Sequence, residues 1–199
     1  MTDSHSPVNN ACALCGGSLS FRKKGFPFFR CEECGMIFVP ATALDQSPLS
    51  FYEEEYFKGE GVSDGYPDYE EDEQLIRGNF RRKLDFLEKL KRSGSLLDVG
   101  AAYGYFLDEA RARGWKVSGI DISSHAAGVA REKLGIPIDV GNFVDHRYPE
   151  SSFDVITMLD VIEHLEQPLA AVRKAYQLLA PGGTLVIVTG DTSCLWARM

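Results

Sequence analysis

Between Tyr69 and Leu90 apolar positions recur every three to four residues, at Leu75, Ile76, Phe80, Leu84, Leu87 and Leu90. That period predicts an amphipathic helix. Asp72 and Glu73 near its start and Lys89, Lys91 and Arg92 near its end suit the helix dipole. Beyond Ser93 the pattern changes to short apolar runs separated by helical stretches. Ser95–Val99, Lys116–Ile120, Ile136–Val140, Phe153–Met158 and Thr184–Val188 read as strands. Helices are expected near Tyr105–Arg113, Ser124–Leu134 and Pro168–Leu179, and Pro181-Gly182-Gly183 turns the chain into the last strand. Alternation of this kind predicts an α/β fold with a mostly parallel sheet built from βαβ units.

The N-terminal part has a different texture. Short aromatic or β-branched runs at Leu19–Arg22, Phe28–Cys31 and Met36–Val39 suggest a small ribbon over residues 11–40. Residues 41–68 mix Pro48, Gly59, Gly61, Gly65 and Pro67 with acidic residues and the rings of Phe51, Tyr52, Tyr56, Phe57 and Tyr66. A disordered linker seldom carries so many large rings, so some are expected to pack on the following domain as a linker or lid. Residues 1–10 read as a polar, disordered tail, and 69–199 as the main domain.

Composition agrees with this division. The 199 residues are 44% hydrophobic and 25% charged, which excludes wholesale disorder and allows one domain with an appendage. The net charge of −8 is unevenly spread: residues 1–40 carry +1, 41–75 carry −10 and 76–199 carry +1. A general polyanion-binding surface is not indicated, so nucleic acid is not the expected partner. No stretch approaches the ~20 apolar residues of a membrane helix, and no secretory signal is visible. The expectation is a cytoplasmic protein that makes no use of a membrane.

Cys12-Ala-Leu-Cys15, fifteen residues and Cys31-Glu-Glu-Cys34 form two matched Cys-x-x-Cys pairs. Each pair fits a tight turn aiming two thiolates at one point, and two such turns supply the tetrahedral sulfur set that zinc favours. Gly16 and Gly35 follow the pairs, where the turn needs a residue that tolerates positive φ. Two disulfides are disfavoured in a reducing compartment, and a redox dithiol does not come as two matched pairs. With four cysteine ligands the metal is closed off, hence structural, and it supplies most of the folding free energy of so small a unit. Cys194 has no partner visible in the sequence.

Leu97-Asp98-Val99-Gly100-Ala101-Ala102-Tyr103-Gly104 closes a strand and opens a helix, with small residues that let a backbone turn approach a ligand. Its G-x-A-x-G spacing differs from the G-x-G-x-x-G of dinucleotide folds, which argues against a dehydrogenase. Asp121 ends the second strand, where a carboxylate can accept both hydroxyls of a ribose. A nucleoside without bound phosphate is the ligand suggested, although a bare strand-to-helix joint would use the same turn. With Gly119-Ile120-Asp121-Ile122, Gly141–Asp154, Leu159–Leu165 and Leu178–Leu185 in order, residues 52–195 resemble the class I S-adenosylmethionine-dependent methyltransferases, specifically small-molecule members with an N-terminal zinc-binding segment. The resemblance implies a Rossmann-like sheet whose glycine turn (Gly100, Ala101, Ala102, Gly104) carries the methionine part of the cofactor. It implies that Asp98 orders that turn or meets the methionine amine, that Asp121 holds the ribose and that Ile122 packs on adenine. Gly141-Asn142-Phe143 matches a Gly-Asp-Ala stretch that reads the adenine edge; Asn142 departs from Asp there but still offers an acceptor. Leu159, Asp160 and Tyr66 complete the expected cofactor contacts, with Tyr66 part of the lid.

Chemistry beyond alignment falls to Leu159–Glu166. Asp160, Glu163 and His164 can offer a general base or metal ligands. Methyl transfer from a sulfonium needs chiefly alignment, and a base only if the acceptor must lose a proton. His164 and Glu163 are the catalytic candidates, weighed against a structural or substrate-edge role, because Glu-His occurs here throughout the resembling family whatever the acceptor. The expected activity is methyl transfer to a small-molecule acceptor, such as a nucleotide-linked sugar or another metabolite. One alternative is an RNA methyltransferase gripping its substrate through Arg22, Lys23, Lys24, Arg30 and the rings of Phe21, Phe26, Phe28 and Phe29. Another is a non-catalytic cofactor-binding or assembly module. The resembling fold has seven strands; here five are followed by eleven residues after Val188. The last two strands are therefore expected to be missing, leaving Thr184–Val188 as an apolar edge suited to a homodimer.

Overall fold

The computed structural model describes residues 11–12, 14–21, 29–38, 71–165 and 167–190. The expected tail, the 41–68 connector with Tyr66, most of the basic-aromatic run and Cys194 lie outside the described residues.

Near the N-terminus β1 (Leu19–Phe21), β2 (Phe29–Cys31) and β3 (Ile37–Phe38) form an antiparallel three-stranded ribbon, in register through Leu19–Cys31 and Arg30–Ile37. The main unit follows as α1 (Glu73–Leu90), β4 (Ser95–Val99), α2 (Tyr105–Ala112), β5 (Lys116–Asp121), α3 (Ser124–Leu134), β6 (Ile138–Val140), β7 (Phe153–Leu159), α4 (Pro168–Leu178) and β8 (Leu179–Val188). Its sheet has the order β6-β5-β4-β7-β8, with every pairing parallel. The expected α/β class and five-stranded parallel sheet are what the described residues form.

In the main sheet two strand starts move by more than one residue from expectation, for identifiable reasons. The β6 ladder begins at Ile138 instead of Ile136, because Pro137 has no N–H to give it, while Ile136 is buried just before it. The expected turn at Pro181-Gly182-Gly183 lies inside β8. Phe153 pairs with Leu179 and Val155 with Thr184, so the intervening residues bulge out of the ladder, with Gly182 at φ +77°.

Central strands are buried on both faces, and their side chains alternate between two cores. Leu96 and Val155 point toward α1, α2 and α3, where Leu84, Leu87, Phe106, Leu107 and Trp115 pack. Leu97, Ile156 and Met158 point the other way, against Ala171, Ala175 and Leu178 of α4. The small residues of α4 allow close approach to the sheet.

Helix α1 is held in place by charge as well as by apolar contact. The nearly buried Arg77 guanidinium donates to Glu73 Oε1 at 2.6 Å, Asp108 Oδ2 at 2.9 Å and Glu109 Oε1 at 3.1 Å, and stands 4.7 Å from the centroid of the Tyr105 ring. The link to α2 fixes the rotation of α1. Leu75, expected on the buried face, is 66% exposed because the first turn of α1 overhangs a cavity instead of the core.

Candidate functional site

The chain enters the sheet at β4, steps outward to β5 and β6, then crosses back to β7 and β8 on the other side. Open α/β sheets hold ligands outside the carboxyl ends of the strands where the order reverses. A cavity of about 660 Å³ lies there, within the ~300–1,000 Å³ usual for small-molecule sites. Its floor is made by residues that follow β4 and β5, its walls by residues after β6 and β7, and its roof by α1.

The floor is a turn held from beneath. Gly100 N donates to Ile120 O at 2.8 Å, and Asp121 Oδ2 accepts from Ala102 N at 2.7 Å while its Oδ1 accepts from Ser123 N at 2.8 Å. Ala102 is left-handed at φ +45°, and Gly104 at φ +76° starts α2. A side chain on Gly100 would run into Val161 Cγ2, so glycine is required both by its φ of +74° and by the close approach. Asp121 is therefore first a brace for the glycine turn. A carboxylate has about four lone-pair sites, so Asp121, which lines the cavity, retains acceptor capacity beyond the brace. Burial pushes its pKa up, and the N–H donors of Ser123, Ala102 and Ile122 hold it back.

Asp98 sits one strand position below the turn, 3% exposed. Thr157, its register partner on β7, donates from Oγ1 to Asp98 Oδ1 at 2.6 Å. Asp98 lines the cavity, and among the described residues no donor reaches its other carboxylate oxygen. Its pKa is raised to about 7, chiefly by burial and further by the charge of Asp121, against the lowering effects of Thr157 and Lys83.

Ile122, 37% exposed, presents an apolar surface beside Asp121. Asn142 Oδ1 already accepts from Val144 N at 3.0 Å in a local turn, which leaves one lone pair and the amide NH₂ for a ligand. Phe143 also borders the cavity, but its ring is 3% exposed and packs into the α4-side core. Leu159 and Asp160 reach the wall from β7, and Asp160 is left-handed at φ +56° with its N–H on Val188 O at 2.8 Å. The turn Ile162–His164 brings His164 to the wall, whereas the exposed Glu163 is outside the lining. The two catalytic candidates are thus separated: only His164 borders the cavity.

The sequence reading did not place α1 at the site. Ile76, Asn79, Phe80 and Lys83 line the cavity from above, and Lys83 Nζ lies 3.2 Å from Asp160 Oδ2 across it. The available signal was that Asn79 and Lys83 stand one turn apart beside the apolar positions 76, 80 and 84.

Away from the cavity, the ribbon brings Cys12, Cys15, Cys31 and Cys34 together, with one sulfur from each within 4.8 Å of all the others. The two turns repeat one geometry: Gly16 N donates to Cys12 O at 2.8 Å and Gly35 N to Cys31 O at 3.1 Å, with both glycines near φ +77° and +76°. Cys12 Sγ–Cys34 Sγ is 3.7 Å and Cys15 Sγ–Cys31 Sγ is 3.5 Å. A tetrahedron of sulfurs about ~2.3 Å from a zinc ion has edges of roughly 3.8 Å, so the sulfur set fits that metal.

Comparison with known proteins adds to this geometry. A family model described as a methyltransferase domain matches residues 70–199. The ubiquinone biosynthesis O-methyltransferase of Nitrosococcus oceani is 37% identical over 114 residues, covering 52% of this chain and 48% of that protein. The chain spans about half the length of the curated relatives it matches. Among solved structures, a Pyrococcus horikoshii protein aligns with a TM-score of 0.56 and 25% identity, covering 63% of this chain and 59% of that one. The S-adenosylmethionine-bound amino pentose methyltransferase of Micromonospora echinaspora aligns with a TM-score of 0.51 and 25% identity, over 58% of this chain and 51% of that one. Among the described residues no helix is long and apolar enough to cross a membrane.

Proposed function

We propose, from the premise that the chain belongs to the methyltransferase-domain family matched over residues 70–199, that it transfers a methyl group from S-adenosylmethionine to a small-molecule acceptor. The observation that carries this reading is the cavity whose floor is the braced turn Gly100–Ala102 and whose side holds Asp121. When bound, the cofactor supplies a methyl group on a positively charged sulfur. The residues of the chain bind and orient. Asp121 accepts the ribose hydroxyls, Ile122 covers one face of the adenine, and Asn142 meets its edge. Asp98, with one oxygen toward the cavity, accepts from the ammonium of the methionine part, and Gly100, Ala101, Ala102 and Gly104 let backbone come close. Leu159 and Asp160 border the reacting end, with His164 at the acceptor's edge. Tyr66 keeps its proposed place as a lid residue.

Crystals grown with saturating S-adenosylhomocysteine test this directly. Nucleoside density between Ile122 and Asn142 is expected; an ordered protein without such density overturns the reading.

The ribbon is proposed to hold a structural zinc ion through Cys12, Cys15, Cys31 and Cys34, supported by the sulfur spacing. The homodimer expected through the side of β8 that pairs with no strand among the described residues is likewise a proposal, supported by Ile187, 39% exposed on that strand. It predicts a concentration-dependent sedimentation coefficient, lost on Ile187→Lys.

A further inference from the structure

The roof of the cavity holds an alkylammonium of the protein's own. Lys83 Nζ lies 3.2 Å from Asp160 Oδ2 and 5.5 Å from the centroid of the Phe80 ring. A carboxylate on one side and an aromatic ring on the other are the two groups that recognise an organic ammonium. The seat is built to stay. Asp160 is pinned in a left-handed conformation by its bond to Val188 O, and Phe80 is fixed edge-to-face against Phe106 at 5.4 Å. Lys83, by contrast, is a flexible chain that can swing out to solvent.

The charge around the seat favours the same kind of ligand. Asp72, Asp98, Asp121, Asp145 and Asp160 line the cavity against Arg82 and Lys83. A cleft lined mainly by one sign concentrates the opposite sign.

We propose that the acceptor is a primary or secondary amine, whose ammonium takes the seat between Asp160 and Phe80 that Lys83 occupies in the free protein. This rests on the methyltransferase reading and deepens it by naming the acceptor class. On entry the acceptor ammonium displaces Lys83 Nζ from Asp160. It releases one proton to bulk water, which the exposed carboxylate of Asp160 admits. The nitrogen lone pair then forms the new N–C bond as the C–S bond breaks, its electron pair going to sulfur. The sulfonium becomes a neutral thioether and the product leaves as a methylated ammonium.

The test uses three probes of matched shape, 2-phenylethylamine, 2-phenylethanol and 3-phenylpropionate, with formation of S-adenosylhomocysteine as the readout. Binding of S-adenosylhomocysteine is measured by calorimetry on each variant. Turnover of the amine is expected, with none of the alcohol or the carboxylate. Asp160→Asn should lower kcat/KM for the amine by about a hundredfold, since it removes the partner of a charged group. Lys83→Met removes the competing ammonium and should lower KM for the amine by roughly threefold to tenfold. An anionic acceptor would respond in the opposite sense, because Lys83→Met would raise its KM. Turnover confined to the alcohol or the carboxylate, no turnover of the amine, or a higher KM for the amine in Lys83→Met overturns the proposal. If S-adenosylhomocysteine itself fails to bind the folded wild-type protein, the methyltransferase reading falls first and this one with it.

Discussion

The ribbon and the sheet are held together in different ways. In the ribbon the buried side chains among the described residues are those of Cys12 and Cys31, both candidate metal ligands. The sheet domain buries large apolar residues on two faces, and Leu84, Leu96, Leu97, Leu107, Val155, Ile156 and Met158 are fully enclosed. Among the described residues the ribbon buries so little apolar surface that the proposed zinc would have to offset most of its chain entropy. The sheet domain has this apolar core to hold it, and it buries polar groups such as Asp98 and Asp121 at the edge of the cavity.

The largest effect is therefore expected in the ribbon. Chelation, or Cys31→Ser, should remove on the order of 10 kcal/mol of metal-linked folding free energy and unfold the ribbon completely. The thermal transition of the sheet domain should stay in place. Ribbon amide resonances unchanged by a strong chelator would show that sulfur packing alone suffices. In the sheet, Leu97→Ala should cost about 3 kcal/mol in denaturant unfolding, because Leu97 is fully buried between β4 and α4, and it should leave metal content unaltered.

Smaller changes sharpen how the site is built into the sheet. Gly100→Ala forces a side chain against Val161 at a positive φ and should cost roughly 1–3 kcal/mol. Val161→Ala in the same chain should return part of that loss; no recovery would place the whole cost in the backbone. Asp98 should give a signal of another kind, a change in pH slope. Its pKa is raised in the folded state from 3.8 to about 7, so between those values the folded chain holds more protons than the unfolded one. Stability contributed by Asp98 is then greatest at low pH and is lost as pH rises through that window. Asp98→Asn should flatten the decline between about pH 4 and 7, as read from urea midpoints. An unchanged slope would assign the pH dependence to other groups.

Much of the sheet was legible because both of its signals are local. Ser95–Val99 and Ser124–Leu134 are bounded in the structure where their patterning bounds them. The floor of the cavity was legible for a related reason, since its glycine turn and Asp121 stand at the carboxyl ends of strands, where an open α/β sheet places its cavity. The roof was not. Lys83 and Asp160 are 77 positions apart and meet only through the docking of α1 on α2, which Arg77 controls. No local period encodes that meeting. The bulge at Pro181-Gly182-Gly183 was read as a turn because proline and glycine mark both, and only pairing of Leu179 with Phe153 distinguishes them. The separation of Glu163 from His164 likewise depends on the short helical turn at Ile162–His164, which adjacent residues cannot reveal.

The central claim is that Asp121 and the turn it braces form the cofactor site. Calorimetric titration of S-adenosylmethionine into wild type and Asp121→Asn tests it most directly, because the substitution keeps the size of the side chain, removes the charge proposed to accept ribose hydroxyls and replaces one of the two oxygens that brace the turn. One-site binding that weakens at least about tenfold in Asp121→Asn, with thermal unfolding still cooperative, is the predicted result. Equal affinity in the two proteins, or no binding to a folded wild type, would contradict the account.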